Sequence, residues 1–178
     1  MRTDTRERRL DLVAFMGALC LFFSTLEYLF PKPVPFFRLG LANIPVLLAL
    51  ELFSPGYVLL LVALKVVGQG LVNGTLASYV FLFSAAGSIA SALVMLAVHR
   101  AGRRWISLVG VSLFGSLASN IVQITLSVTF IFGSTAWVIA PAFLGIGVAS
   151  GLAVGVFAER FAERSRWFAR MKEAIGGA

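Results

Sequence analysis

The chain has 178 residues, of which 59% are hydrophobic and 13% charged, and a mean hydropathy of +0.93. A soluble domain of this size cannot hide so much apolar surface, and recurring apolar runs of membrane-spanning length leave no room for a soluble catalytic domain. The net charge of +7 does not indicate nucleic acid, because the basic residues flank apolar runs instead of forming a soluble basic face. The single cysteine, Cys20, excludes a disulfide framework and a cysteine metal site.

Taken in order, the first span is expected over about residues 10–30, after Arg2, Arg6, Arg8 and Arg9. Such a start mimics a signal peptide, but five further apolar runs follow, so a retained helix is expected. Pro31, Pro33 and Pro35 make a stiff loop ending near Arg38. The second span covers about 39–53 and is short; Ser54-Pro55-Gly56 is a turn. The third covers about 57–72 and breaks at Asn73-Gly74, and the fourth covers about 76–98. A basic loop with His99, Arg100, Arg103 and Arg104 leads to the fifth, about 105–132; Gly133-Ser134 turns the chain into the sixth, about 136–158. The expectation is an all-α polytopic membrane protein, a six-helix bundle forming a single transmembrane domain over 1–178.

With six spans, the arginine-rich N-terminus, the loop between spans 4 and 5 and the C-terminal tail fall on one side. The positive-inside rule makes that side the cytoplasm and the location the cell (inner) membrane. In the tail, 159–178, Phe161, Phe168, Met171 and Ile175 continue a stripe from Phe157, among Arg160, Arg164, Arg166, Arg170 and Lys172. Two readings stand: a basic amphipathic helix on the anionic leaflet, or a solvated end to the sixth span.

Polar residues inside a membrane need a partner or a purpose. Glu27, Arg38, Asn43, Gln69, Asn73, Asn120 and Gln123 all sort to the half away from the termini. Asn120 and Gln123 share a helix face, and Lys65, Gln69 and Asn73 form one stripe at intervals of four. These faces either line a common cavity for a small-molecule ligand or make hydrogen bonds that only hold the helices together. Lys65 sits in mid-span; its candidate partners are Glu51, Glu27 or an anionic ligand. Residues 44–53 make only about 15 Å of helix, half a bilayer. Pro45 suits a first turn and Asn43 a cap, so residues 38–43 are either irregular chain dipping into the membrane or part of a helix kinked at the proline.

Gly147, Gly151 and Gly155, and Ser84, Ser88 and Ala92, repeat at four-residue intervals suited to close helix contact; Ala14 and Ala18 do so near the cytoplasmic end of span 1, where a partner could dock. The sequence holds no Ser-His-Asp set, HExxH motif, P-loop or nucleotide fingerprint, and its only aspartates are Asp4 and Asp11. No catalytic residues, metal site, cofactor or own ATPase are therefore expected, and the aspartate clusters of a prenyl-transfer enzyme are missing.

Glu27, the proline loop and then Arg38-Leu39-Gly40-Leu41-Ala42-Asn43-Ile44 resemble the Gx transporter family, whose members are often labelled heptaprenyl diphosphate synthase component I. The resemblance extends over most of the chain. It implies a fold similar to the substrate-binding S-components of energy-coupling factor transporters, with an outward-facing pocket. It also implies docking, partly through small residues such as Ala14 and Ala18, on a coupling-factor transmembrane subunit that works with ATPases. Some members are associated with flavin-based extracellular electron transfer and flavinylated redox proteins. Three functions follow as expectations: a membrane substrate-binding subunit for uptake of a small molecule; a noncatalytic partner in flavin- or quinone-linked extracellular electron transfer; and an accessory, noncatalytic component of prenyl diphosphate synthesis.

Overall fold

The computed structural model describes residues 2–29, 40–102 and 105–176. Every regular element among them is helical, as expected where lipid offers the backbone no hydrogen-bond partners. The helices are α1 (Arg2–Leu29), α2 (Ile44–Leu52), α3 (Pro55–Val72), α4 (Tyr79–Gly102), α5 (Leu108–Ser127), α6 (Ala136–Arg164) and α7 (Arg166–Gly176). Four stretches are long and apolar enough to cross a membrane: Arg6–Glu27, Pro55–Val72, Tyr79–Gly102 and Leu108–Arg164, the last running through both α5 and α6. The chain is therefore a multi-pass, all-helical membrane protein.

Local chemistry sets the element ends. Ser54 is extended and Pro55 occupies the first turn of α3, where its missing N–H costs nothing. Ser107 caps α5, its Oγ accepting from the Gly110 N–H at 3.4 Å. The sequence suggests one helix up to residue 132. The regular α5 instead ends at Ser127, widens into a π-turn over Val128–Phe132, and reverses at Gly133, whose φ of 57° favours glycine.

Short α2 organises the interior. Its nine residues span about 14 Å, too little to cross a bilayer, and all are buried except Glu51, which is half-buried. A helix apolar on every face belongs in a core. Leu47 and Ala49 join Val13 and Met16 of α1, Leu61 of α3, Met95 of α4 and Val111 of α5 in the main hydrophobic cluster. A smaller cluster, built on Phe83, Ile124, Ala140 and Phe143, fills the far end of the α4–α5–α6 sheaf.

Small residues let that sheaf close. A Cβ at Gly155 of α6 would lie 2.7 Å from the Cα of Val109, and one at Gly87 of α4 would lie 2.8 Å from Ser119 Oγ. Ser112 Oγ donates to the Gly151 carbonyl at 2.8 Å, a polar tie between α5 and α6. Ala14 and Ala18 lie elsewhere, exposed on α1 along an apolar groove shared with α3.

The stripe of the tail divides: Phe157 stays exposed on α6, while Phe168 and Ile175 turn inward. Ser165 is extended, α6 stops, and α7 folds back beneath α2, burying Phe168 and Ile175 in the main cluster. Lys172 Nζ donates to Glu51 Oε2 at 2.8 Å, and Arg9 donates to the Ile175 carbonyl at 3.2 Å. Phe168 and Ile175 thus cover the C-terminal end of α2 on the side of the chain termini.

Gly155→Ala places its methyl against the backbone of α5, which cannot yield as a side-chain tip can. It is expected to destabilise the protein by about 1–3 kcal/mol, seen as a lower apparent melting temperature in detergent. Gly145→Ala, with nothing within 4 Å of the added carbon, is expected to hold that temperature or raise it slightly, since alanine favours a helix interior over glycine.

Candidate functional site

The residues just before α2 are neither strand nor α-helix. Gly40 takes a left-handed conformation (φ 82°), and Leu41–Asn43 form one 3-10 turn leading into Ile44 and Pro45. The turn lies in the protein interior, so its polar groups require protein partners. The Gly40 N–H donates to the carboxylate of Glu27 near the end of α1, and Lys65 Nζ of α3 donates to the side-chain oxygen of Asn43.

These groups line one side of a small enclosed cavity. Gln69 stands one turn beyond Lys65 on α3, and Asn120 and Gln123 of α5 form the opposite wall. The four side chains are each at least nine-tenths buried. The space open to the centre of a water molecule is about 40 Å³, enough for a few waters. Pockets for larger ligands run from about 300 Å³ upward, so a sizeable ligand enters this site only as the lining moves outward.

The cavity contains both signs of charge and a surplus of hydrogen-bonding capacity. Asn120 Nδ2 donates to the Phe143 carbonyl at 3.4 Å, and Gln123 Nε2 donates to Ser119 Oγ at 3.0 Å. Gln123 Oε1 is buried without a hydrogen-bond partner among the described residues. An unfilled acceptor in a low-dielectric interior is costly and draws a donor, from water or from a ligand. Among the described residues no group of three His, Cys, Asp or Glu side chains is placed to hold a metal.

Of the residues expected from sequence, Glu27, Asn43, Lys65, Gln69, Asn120 and Gln123 meet at this cavity. Asn73 does not: it ends α3, half-buried, with its N–H bonded to the Gln69 carbonyl at 3.0 Å. Arg38, like Lys32 and the three loop prolines, lies outside the described residues. Glu51 sits at the other end of α2, bonded to Lys172 and 3.9 Å from His99, so the cavity, not Glu51, surrounds Lys65.

Sequence reasoning missed the residues that make room. Ser88, Ser116, Ser119 and Ser150 line the cavity, and Gly147 leaves the slot that the Asn120 amide fills. Ser116 precedes Asn120, and Ser119 precedes Gln123, by four residues each. That spacing marks one polar face of α5 and was available in the sequence.

The family described as heptaprenyl diphosphate synthase component I matches residues 16–161, and the chain belongs to that family. It is the group of Gx transporters, similar to S-components, that the stretch from Glu27 to Ile44 resembles. No curated protein and no solved structure matches the chain.

Removing Asn43 leaves a buried ammonium group short of an acceptor. Asn43→Ala is expected to cost about 1.5–3 kcal/mol, the worth of a hydrogen bond to a charged group. Asn43→Ala combined with Lys65→Met is expected to cost less than the two single changes together. Thermal unfolding of all three variants in detergent measures the coupling.

Proposed function

We propose that this member of the heptaprenyl diphosphate synthase component I family is a noncatalytic membrane subunit that binds a small polar molecule for its uptake. The observation that carries this reading is the meeting of charges and amides from α1, the α2 entry, α3 and α5 in one cavity. Helices held together by polar contacts alone need only local pairs. Here four elements supply polar side chains to a shared space, and Gln123 keeps an open acceptor.

The lining also bears on the ligand. No aromatic side chain lines the cavity among the described residues, so recognition rests on hydrogen bonds and charge instead of ring stacking. Lys65 favours a carboxylate, phosphate or carbonyl group, while the amides serve hydroxyl, amine or carbonyl groups. In this reading the arginine-rich termini face the cytoplasm and the cavity serves the opposite side. The exposed Ala14 and Ala18 face of α1 would then receive a coupling subunit that supplies the energy this chain lacks.

The family description supports a second reading, an accessory component of prenyl diphosphate synthesis. In that case adding this chain raises the activity of a catalytic prenyl synthase. Under uptake, that activity does not change.

Mass spectrometry of protein purified in mild detergent is expected to detect a retained small polar molecule. Gln69→Ala and Gln123→Ala are each expected to weaken its binding about tenfold, the worth of one hydrogen bond inside a closed site. If both variants bind and transport like the parent, the uptake reading fails.

A further inference from the structure

A second cleft shares no lining residue with the polar cavity. It opens between α1, α2 and the α6–α7 junction, with a volume of about 530 Å³. Phe15 and Phe23 of α1, Pro45 of α2, and Phe157 and Phe161 of α6 form its walls. From Phe15 to Phe23 it runs about 12 Å along α1, within an apolar stretch that crosses the membrane.

Its mouth is different in kind. Ser165 and Trp167 line it, where α6 breaks into α7, and Trp167 packs on Phe15 with ring centroids 5.8 Å apart. Tryptophan at such a position marks the headgroup level of a membrane. Arg164 and Arg166 flank Ser165 in the chain, with Arg160 one turn earlier on α6. All three are exposed, and none has a carboxylate partner among the described residues. The neighbouring acids, Glu159 and Glu163, line a separate pocket with Glu51 and Lys172. The apolar slot thus opens, at Ser165 and Trp167, next in the chain to exposed arginines that hold no carboxylate partner among the described residues.

We infer that this cleft holds one acyl chain of an anionic phospholipid, with the phosphate headgroup at Arg164 and Arg166. The chain keeps the aromatic walls dry, and the headgroup supplies the negative charge the collar lacks. The occupant comes from the leaflet on the side of the chain termini. This inference does not depend on the polar cavity and stands or falls separately from it.

Trp167 provides a reporter. Trp105→Phe and Trp137→Phe, both at exposed sites, leave it as the sole tryptophan. In phosphatidylcholine vesicles, phosphatidylglycerol with brominated acyl chains is expected to quench Trp167 at roughly tenfold lower mole fraction than brominated phosphatidylcholine. That is the order expected when two basic groups meet an anionic headgroup. Arg164→Gln with Arg166→Gln is expected to abolish the preference. Native mass spectrometry of the parent chain gives a second readout that needs no substitution: phosphatidylglycerol adducts should outlast phosphatidylcholine adducts. Equal quenching by the two lipids, or a preference that survives loss of both arginines, would overturn the inference. So would displacement of the brominated lipid by geranylgeranyl diphosphate but not by unlabelled phosphatidylglycerol, which would assign the cleft to an isoprenoid diphosphate.

Discussion

The structure depends on how a break in the second span is made tolerable inside a membrane. Where the chain turns at Gly40 and passes through Leu41–Asn43, its backbone cannot use the α-helical pattern, and the lipid offers no substitute. The carboxylate of Glu27 answers the Gly40 N–H, and Lys65 binds Asn43 from α3. Each of these ionisable groups would be costly alone at this depth. Set against the polar turn, they fasten α1 and α3 to the start of α2. One local problem, a helix too short to cross, thus fixes three elements and creates a polar interior.

Two kinds of packing surround that point. Around α2, large aliphatic side chains such as Met16, Leu47 and Leu61 fill space. In the α4–α5–α6 sheaf, glycine and serine bring backbones together, so the Asn120 and Gln123 amides are held by neighbours that cannot retreat. The polar cavity lies where the two regions meet. Its α5 wall is rigid by close backbone approach, while its other wall hangs on the α2 entry and two hydrogen-bonded side chains.

The helical membrane class was legible because hydropathy reports directly on the solvent a segment prefers. The family resemblance was legible because the stretch from Glu27 to Ile44 keeps polar residues where lipid would penalise them. The start of α2 was half legible: Asn43 and Pro45 marked a helix beginning, and a kinked continuous helix satisfied the same letters. Hydrogen bonds to Glu27 and Lys65 decide between the two, and such long-range partners have no periodicity to read. For the same reason the four-residue spacing carries the Lys65–Gln69 stripe on to Asn73, although α3 ends before it. The tail stayed open in the sequence because an amphipathic helix with a basic rim suits a leaflet as well as a protein groove; the packing of Phe168 and Ile175 under α2 rests on long-range partners that no periodicity marks.

The place of α7 under the end of α2 gives it a meaning beyond anchorage. Phe168 and Ile175 act as a stopper under the half-length helix, secured by Lys172 on Glu51 and by Arg9 on the Ile175 carbonyl. A chain cut after Arg164 would keep every membrane-crossing stretch and still let water rise to the end of α2, only about 14 Å from the polar chamber. Keeping the end of α2 dry thus falls to the last helix, although it crosses nothing.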